Sequence, residues 1–289
     1  SISRQNLSIV IVTLKSEKVV HNCIKSINQD ISIIVVENSN NHRFKEEMEL
    51  KYKNLKCILS GSNLGMGAGN NIGIKEAKTD YVLILNPDVI LEDNTLDELI
   101  LTSNKIPDFA ILAPKEKNII NYGMFKKKIS IEQNSKEVAF KVDFVDGFAM
   151  LINKKKFQNN KFFDEKFFMF LENDDLCKRA IDNGDTIYVI PKAKIKHLTQ
   201  KAVDEKFSYE VELSRNWHWI WSKFYFNKKH YGFFSALKEG GIKFISSLIK
   251  YFFYFLINNK KKYIYFNRAS GFFSALIGKS SSYRPNLED

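Results

Sequence analysis

Cysteine is scarce in this sequence and follows no metal-binding spacing. The 289 residues include three cysteines, Cys23, Cys57 and Cys177, which are widely separated and odd in number. The lack of a CxxC pair and of a Cys/His cluster excludes a zinc finger and a disulfide scaffold. We therefore expect reduced thiols in a cytosolic compartment. No charged segment or cleavage site precedes the first apolar strand, so we expect no signal peptide.

Long apolar runs are also missing. The most apolar stretch, FISSLIKYFFYFLI at residues 244–257, is interrupted by Lys250, and a membrane-spanning helix needs about 20 apolar residues. A helix rich in Lys and Phe suits an interfacial position instead, where anionic lipid head groups attract it. A buried helix that packs on the main domain explains the same residues equally well, and both interpretations stay open.

Acidic residues are nearly absent from one region. Residues 223–262 contain nine lysines and a single acid, Glu239, so this region carries +8 of the net charge of +11. Such a region attracts nucleic acid, a membrane surface or an acidic partner. Its aromatic residues form one apolar block, which favours an anionic membrane surface, and we expect no nucleic-acid binding.

Strand and helix patterns alternate four times in the first half of the chain. Apolar runs predict buried strands at residues 8–14, 31–38, 56–60 and 80–91, the last with a polar interruption towards its C-terminal end. Short alternating pieces predict hairpins at residues 128–144, and three strands follow at VDGFAMLIN, TIYVIP and KAKIKHL around a helix at ENDDLCKRAIDNG. We predict an α/β fold with a mostly parallel, Rossmann-like central sheet flanked by helices. This domain would cover residues 1–205, with a basic helical extension at residues 206–289.

Polar side chains stand at or near the ends of the four early strands. In an open α/β sheet, ligands bind outside the carboxyl ends of the strands. A glycine-rich turn, LGMGAGNN, follows the third strand, but its G-x-G-x-G spacing and its place in the chain differ from a dinucleotide fingerprint. A tight turn into a helix and a polar ligand both explain it. The polar residues in these places are Thr13, Lys15, Glu37, Asn38, Asn63, Asn71, Asn86 and Asp88.

Two residues could bind a metal ion. Asp88 follows an Asn and a Pro at the end of a buried strand, which places its carboxylate on a stiff support. Mg²⁺ and Mn²⁺ bind carboxylate oxygens together with phosphate oxygens of a substrate. A turn residue explains Asp88 equally well, and His197, on a strand where it alternates with Lys, is either a ligand or a surface histidine.

Three carboxylates, Glu172, Asp174 and Asp175, stand within four residues at a predicted helix start. They repel one another unless water, a cation or a shared proton relieves the repulsion. An exposed, charged helix start is the simplest explanation. Asp175 also lies four residues before Arg179, as in an intrahelical ion pair.

Taken in order, these segments resemble the inverting glycosyltransferases of family 2, which have the GT-A fold, and in particular their bacterial rhamnosyltransferase-like branch. IVIVTL is similar to the first strand of that family, VVENSN to its VVDNxS, and NLGMGAGNNIGI to its N-x-G-x-x-x-x-x-N-x-G helix start. LNPDV resembles its reduced DXD motif, VDGFAMLI its donor-side strand and KIKHL its late histidine. FDEKFFMFLENDDLCKR is similar to its F-x-Y-x-E-D-x-D-L-C-x-R.

The resemblance implies a role for each matched residue. Asp88 would bind a divalent cation, Mg²⁺ or Mn²⁺, with His197 as a second ligand. Gly147 would let the backbone approach the donor sugar, and the carboxylates of residues 172–175 would face the acceptor. The residues implied in nucleotide-sugar binding are Thr13, Lys15, Glu37, Asn38, Asn63, Gly67, Asn71, Asn86, Asp88 and Gly147.

The sequence departs from the family pattern at the expected catalytic base. An inverting transfer needs a base within hydrogen-bond reach of the acceptor hydroxyl. The family commonly has Glu-Asp where this chain has Glu172 and Asn173, and an amide cannot accept that proton. We rank Glu172 first as the base, Asp175 second and Asp174 third.

The sequence therefore predicts a metal-dependent inverting glycosyltransferase. It would move a sugar from a nucleoside-diphosphate donor, dTDP-rhamnose or similar, to a hydroxyl of a glycan or lipid-linked saccharide in cell-surface polysaccharide synthesis. We expect a cytoplasmic protein that is peripheral on the inner face of the cell membrane. The missing aspartate leaves one alternative, a degenerate nucleotide-sugar-binding or scaffold protein without turnover. A nucleotidyltransferase is less favoured, because this sequence lacks the glycine-rich basic loop that such an enzyme has after its first strand. A dehydrogenase is less favoured, because the glycine-rich turn is the single feature that supports it.

Overall fold

A computed structural model of the protein describes residues 1–27, 30–106, 108–126, 138–199 and 202–288. Contacts divide the chain into two compact units. Unit 1 consists of Ser1–Asp164 and Asn173–Val203, and unit 2 of Glu165–Glu172 and Asp204–Asp289. The chain thus enters unit 2 for eight residues before it completes unit 1. The predicted division into two domains at residue 205 stays a prediction.

The described part of the chain up to residue 199 first alternates strands with helices and then becomes richer in strands. The alternating part contains β1 (Leu7–Thr13), α1 (Glu17–Lys25), β2 (Ser32–Glu37), α2 (His42–Lys51), β3 (Leu55–Leu59), α3 (Met66–Glu76), β4 (Tyr81–Leu85), β5 (Val89–Leu91) and α4 (Thr95–Ser103). The later part contains β6 (Ile111–Glu116), β7 (Tyr122–Gly123), β8 (Phe140–Val142), β9 (Phe144–Val145), β10 (Ala149–Asn153), α5 (Glu172–Asp182) and β11 (Ile187–His197).

Nine of the described strands form one central sheet. Its order is β3–β2–β1–β4–β10–β6–β11–β5, and β8 also pairs with β11. The first four strands in this order are parallel, as crossover helices between them require. In the other half, β10 is antiparallel to β4 and β6, while β11 is parallel to β6 and antiparallel to β5 and β8. Every residue of β1 and of β10 is buried, which explains their continuous apolar sequences.

The glycines of α3 serve helix packing. A Cβ at Gly73 would lie 2.3 Å from Cγ1 of Val10, and a Cβ at Gly69 would lie 2.9 Å from Cγ1 of Val12. Only glycine lets the helix axis come this close to β1. This close contact explains Gly69 and Gly73, and Gly65 has a left-handed φ of 87° at the start of the helix.

The sequence patterns gave the wrong local structure in three places. The polar segment between the second and third predicted strands, for which the apolar pattern indicates no element, contains α2 at residues 42–51, and its buried residues are Phe44 and Met48. The single strand predicted at residues 80–91 is two strands, β4 and β5, separated by the turn that contains Asp88.

In the third place, the two strands predicted in TIYVIPKAKIKHL form one strand, β11, with a register shift between Ile190 and Lys194. Of the hairpins predicted at residues 128–144, residues 128–137 lie outside the described residues, and β8 and β9 occupy most of the remainder.

Unit 2 is helical, as the sequence predicts. It contains α6 (Ser208–Tyr231), α7 (Phe233–Leu256) and α8 (Lys261–Leu276), and each of these helices packs on the other two. Among the helices that the structure describes, none combines the length and the apolar character that crossing a membrane requires.

The early segment of unit 2, residues 165–172, is held by its C-terminal helices and tail. Oγ of Ser222 donates to the carbonyl oxygen of Met169 at 2.6 Å, and Oγ of Ser281 donates to the carbonyl oxygen of Lys166 at 2.6 Å. The ring of Phe168 packs on His218 with 4.6 Å between ring centroids.

Candidate active site

Strand pairing brings Asp88 and His197 together. Asp88 directly precedes Val89, and Val89 pairs with His197 in the antiparallel pair of β5 and β11. The amide of Leu198 donates to the carbonyl oxygen of Asp88 at 3.0 Å. As a result, Nε2 of His197 lies 3.2 Å from Oδ1 of Asp88, and both side chains are largely buried.

The donor atoms of this pair fit a divalent cation. Oδ1 of Asp88 is buried and makes no hydrogen bond with the described residues. Nε2 of His197 lies 3.2 Å from it, and an oxygen and a nitrogen at this separation can both bind one ion at about 2.1 Å. No group of three or more His, Cys, Asp or Glu side chains in the described residues forms a complete metal site. Substrate phosphate oxygens would therefore supply the other ligands, as they commonly do for Mg²⁺.

The imidazole of His197 is held by an aromatic neighbour. The ring of Phe148 stacks on it with 4.1 Å between centroids and 21° between the ring planes. Phe148 stands directly before β10, and its carbonyl oxygen accepts a hydrogen bond from the amide of Asn86 at 2.9 Å. The end of β4 and the start of β10 therefore position the ring that orients His197.

The N-terminal end of α5 contains an asparagine that makes two hydrogen bonds. Nδ2 of Asn173 donates to the carbonyl oxygen of Val145 at 2.9 Å and to Oδ1 of Asp174 at 3.0 Å. A Cβ at Gly147 would lie 3.2 Å from the Cβ of Asn173, so the glycine allows this close approach. An aspartate carboxylate at position 173 has no proton to donate. Asn173 therefore holds the helix end and orients Asp174.

Asp174 has a raised proton affinity. Burial, and then the negative charge of Asp146, raise the pKa of Asp174 from 3.8 to about 7. Burial also raises the pKa of Asp146, while the charge of His197 lowers it. Because neighbouring carboxylates disfavour each other's ionisation, this pair can hold a proton near neutral pH. Asp174 is therefore suited to accept a proton from a hydroxyl.

The other carboxylates of this segment are placed differently. Asp175 is fully buried and accepts a hydrogen bond from Nε of Arg179 at 3.0 Å. Arg179 also donates to the carbonyl oxygens of Lys161, at 3.2 Å, and Phe162. This ion pair accounts for Asp175 without a catalytic role. Glu172 is the first residue of α5 and the last of the early unit 2 segment, and its role as the base stays a prediction.

Buried hydrogen bonds join the ends of β1 and β2. Thr13 and Glu37 pair in register, and Oγ1 of Thr13 donates to Oε2 of Glu37 at 2.5 Å. Oγ of Ser39 donates to Oε1 of Glu37 at 2.7 Å. Burial raises the pKa of Glu37, and the hydrogen bonds from Thr13 and Ser39 oppose that rise. Both strand-end side chains are buried, so in this conformation they connect the strands and are not exposed to solvent.

Three of the predicted asparagines bind backbone atoms. Nδ2 of Asn38 donates to the carbonyl oxygen of Gly65 at 3.0 Å, and Oδ1 of Asn63 accepts from the amide of Gly65 at 3.3 Å. The side chain of Asn71 donates to the carbonyl oxygen of Phe163 and accepts from its amide, both at 2.9 Å. These contacts fix the loops at the carboxyl edge of the sheet.

The remaining predicted residues lie at or near the same edge. Lys15 follows β1 with a left-handed φ of 51°, Asn86 follows β4 and is half-buried, and Gly67 is buried in the first turn of α3. The structure therefore groups the predicted residues at the sheet edge, where Thr13 contacts Glu37 and Asn38, and Asp88 contacts His197.

Sequence reasoning did not single out Asp146 and Phe148. Asp146 precedes Gly147 next to a buried strand. Asp88 has a similar position beside a strand, so the same criterion could have identified Asp146 from the sequence. Phe148 had no such signal, because an aromatic residue beside an apolar strand is ordinary core composition.

Comparison with known proteins gives matches over most of unit 1. The family described as "Glycosyl transferase family 2" matches residues 8–178. The chain is 28% identical to "Low-salt glycan biosynthesis hexosyltransferase Agl10" of Haloferax volcanii, over 61% of each chain. It is 27% identical to "Rhamnosyltransferase WbbL" of Escherichia coli, over 63% of this chain and 80% of WbbL.

A third relative is the "N-acetylglucosaminyl-diphospho-decaprenol L-rhamnosyltransferase" of Mycobacterium tuberculosis, 21% identical over 58% of this chain and 66% of that protein. The matched regions thus span less than two thirds of the length of Agl10 and of the mycobacterial enzyme.

Two solved structures are similar in fold. S. aureus TarS 1-349 matches with a TM-score of 0.53 and 16% identity over 98% of this chain and 94% of TarS 1-349. GalNAc-T7 with UDP, GalNAc and Mn²⁺ matches with a TM-score of 0.55 and 14% identity over 66% of this chain and 43% of that one. Likeness at this identity shows the fold alone, and the predicted GT-A fold is confirmed.

Proposed function

Because the chain belongs to glycosyl transferase family 2, as its sequence predicts, we propose that it is an inverting glycosyltransferase that uses a nucleoside-diphosphate sugar. One observation carries the proposal. His197, which pairs with Asp88, lowers the pKa of Asp146, and Asp146 in turn raises the pKa of the half-buried Asp174, so the pair and this carboxyl group lie in one electrostatic environment. A cation-binding pair and a proton acceptor are the two functions that an inverting transfer needs.

We assign the base to Asp174 ahead of Glu172 and Asp175. Its carboxylate would accept the proton of the acceptor hydroxyl while the hydroxyl oxygen bonds to the anomeric carbon. The bond from that carbon to the diphosphate oxygen breaks on the opposite face, so the configuration inverts. Asn173 would hold Oδ1 of Asp174 in place through its 3.0 Å hydrogen bond. The base would thus stand one residue after the position where the family commonly has its aspartate.

Asp88 and His197 would hold a divalent cation, Mg²⁺ or Mn²⁺. The cation would supply positive charge to the diphosphate oxygens as the leaving group gains negative charge. The residues of this chain fix the ligands: the pairing of β5 with β11 sets the Asp88–His197 separation, and the stacked ring of Phe148 limits rotation of the imidazole.

The names of the relatives support a class of donor and a class of acceptor. Two of the three relatives have names that specify rhamnosyl transfer, which supports dTDP-rhamnose or a similar nucleotide sugar as the donor. The mycobacterial name specifies a diphospho-decaprenol acceptor, which supports a glycan or lipid-linked saccharide as the acceptor here. Such an acceptor would place the protein in the cytoplasm, peripheral on the inner face of the cell membrane.

The direct test is transfer by the purified full chain. We would supply dTDP-rhamnose, UDP-GlcNAc, UDP-glucose or GDP-mannose with a polyprenyl-diphosphate-linked GlcNAc acceptor, with Mn²⁺ or with EDTA. The expected result is metal-dependent release of one nucleoside diphosphate and a product of inverted anomeric configuration, lost in Asp174→Asn. If the wild type binds a donor but neither hydrolyses it nor transfers its sugar to this acceptor, the result supports the degenerate sugar-nucleotide-binding alternative. If Glu172→Gln abolishes transfer and Asp174→Asn does not, Glu172 is the base.

A further inference from the structure

Helix α7 is apolar on two opposite faces, and one of them is used for packing inside unit 2. Phe244 stacks on Phe272 of α8 with 4.7 Å between ring centroids. A Cβ at Gly240 would lie 2.5 Å from the Phe272 ring, so the two helices are in close contact there. Ala236 and Ser247 of the same face are buried. The apolar residues on this face of α7 are therefore explained by packing inside unit 2.

The opposite face has a row of exposed apolar side chains, which we call the α7 stripe. At 100° per residue its members fall within a sector of about 100°, which also contains Lys238 and, at its edge, Ser235. A surface helix with one packed face normally has polar residues in that sector, and contiguous exposed apolar surface marks an interaction site. Three of the stripe residues are about 80% exposed, and the others are 57–65% exposed. The α7 stripe consists of Phe234, Ile242, Ile245, Ile249, Phe252, Phe253 and Leu256.

Lysines flank the α7 stripe, and acids are nearly absent from it. Lys260, Lys261 and Lys262 follow its C-terminal end, where α7 turns into α8. The Nζ of Lys262 lies 5.6 Å from the ring centroid of Phe255, an exposed residue of the same helix end that lies outside the stripe. Glu239 is the one acid in residues 223–262. An apolar face bordered by lysine is complementary to a surface with negative charge outside and hydrocarbon beneath.

We propose that the α7 stripe docks on an anionic lipid surface, with α7 lying in the plane of the interface. An amphipathic helix in this position buries its apolar face about 5–10 Å into the head-group and acyl boundary. A second copy of this chain fits the stripe less well, because two copies would bring two regions of +8 together. Lysine is also depleted at protein interfaces. The inference rests on the proposed function for its purpose, which is to hold the enzyme where a lipid-linked acceptor resides.

Vesicle binding of the full chain tests the proposal without donor, acceptor or metal. Co-sedimentation would compare phosphatidylglycerol-containing vesicles with pure phosphatidylcholine vesicles for the wild type and for Ile249→Glu/Phe252→Glu. The matched control is Leu50→Glu/Leu101→Glu, which changes two helical residues of unit 1 that are 86% and 53% exposed. We expect the wild type and the control to bind the anionic vesicles and the stripe variant to lose at least about 90% of that binding, with its circular dichroism unchanged.

A lysine variant separates the charge from the apolar contact. Each lysine near an anionic surface contributes about 1 kcal/mol, so Lys260→Gln/Lys261→Gln/Lys262→Gln should weaken binding on the order of 100-fold, and added salt should have a similar effect. Equal binding of the wild type to neutral vesicles would overturn the requirement for anionic lipid. Binding of the stripe variant at the wild-type level would overturn the docking surface. If light scattering shows that the wild type is a dimer and the stripe variant a monomer, with equal vesicle binding, a second copy covers the stripe. A failure of sugar transfer with intact vesicle binding would contradict only the proposed function.

Discussion

The side-chain amide of Asn173 donates a hydrogen bond to Oδ1 of Asp174 at 3.0 Å. At position 173 the family commonly has an aspartate, whereas this chain has an asparagine that donates a hydrogen bond to the neighbouring aspartate. The same amide donates to the carbonyl oxygen of Val145, so Asn173 connects the N-terminal end of α5 to the segment before β10. An amide at this position is therefore consistent with a working site in which Asp174 is the proton acceptor.

Replacing Asn173 by aspartate should destabilise the fold, although it restores the family pattern. The variant loses both donated hydrogen bonds and places a third carboxylate near Asp146 and Asp174. We expect Asn173→Asp to lower the free energy of unfolding by about 1–3 kcal/mol and to raise the pKa of Asp174 further. Urea unfolding at pH 8 would measure the change, with the exposed Asn40→Asp as the control. A variant as stable as the wild type would show that these hydrogen bonds contribute nothing.

The activity should depend on the ionisation of Asp174. With a pKa of about 7 in the folded protein, its carboxylate accepts a proton only above that pH, so kcat/KM should fall tenfold per pH unit below about 7. Asp174→Asn should lower kcat by 10²–10⁴-fold, roughly the contribution of a general base. Asp182→Asn, an exposed change on the same helix, serves as the control. An acid limb near pH 4 would point to a different base.

The same group makes stability depend on pH. Folded Asp174 keeps its proton up to about pH 7, whereas in the unfolded chain it ionises near 3.8. Between these values the folded state binds more protons, so the contribution of Asp174 to stability is lost as the pH rises from about 4 to 7. Relative to the wild type, Asp174→Asn should therefore become more stable across this window, as chemical unfolding at several pH values would show. A constant difference between the two proteins would contradict the raised pKa.

Nucleotide binding should need both the cation and Asp88. A nucleoside diphosphate at about 100 times its Kd adds about 2.7 kcal/mol to the free energy of unfolding, which raises the Tm by roughly 5–10 °C for a protein of this size. We expect this shift with Mn²⁺ and not with EDTA, and we expect Asp88→Asn and His197→Gln to lose it. Asp93→Asn, an exposed acid beyond β5, should keep it. An equal shift in EDTA would show that the pair does not bind a cation.

The packing of α3 on β1 leads us to a prediction about stability, which can be tested without an activity assay. A Cβ at Gly73 would lie 2.3 Å from Cγ1 of Val10, so Gly73→Ala should destabilise the protein by about 1–3 kcal/mol through overpacking. Adding Val10→Ala should recover part of the loss, because it removes the contacted methyl groups. Gly241→Ala of α7, which has open space around the added Cβ, should instead stabilise by about 0.4–1 kcal/mol. Equal effects of the two single changes, by thermal unfolding, would show that contact with Val10 is not the cause.

The sequence identified the parts of the site that depend on local pattern. Asp88 could be singled out because it stands at the end of an apolar strand, and His197 because KIKHL resembles the late histidine of the family. Their separation could not be predicted, because it depends on the register of β5 against β11, and the sequence pattern suggested neither that β5 is a separate strand nor that β11 is continuous.

The features of the candidate site that depend on contacts between residues distant in the sequence could not be predicted. We propose a different order of candidate bases because Asp174 is half-buried beside Asp146, while Asp175 is paired with Arg179. The spacing of four residues along a helix indicated the pair of Asp175 and Arg179. It gave no information on the proximity of Asp174 to Asp146, because Asp146 lies outside the helix. Likewise, the sequence did not distinguish a packed face from an exposed face in residues 244–257. The packing of Phe244 on Phe272 shows which side of α7 is buried inside unit 2.

The path of residues 165–172 limits how this protein can be taken apart or recombined. A chimaera joined at residue 204 would keep this segment from one parent and the helices that hold it from the other. It would lose the native hydrogen bonds of Ser222 to Met169 and of Ser281 to Lys166, and the buried ring of Phe168 would meet foreign side chains. The C-terminal helices are therefore not an exchangeable cassette. A successful graft, in the laboratory or in evolution, must transfer two separate stretches of sequence together.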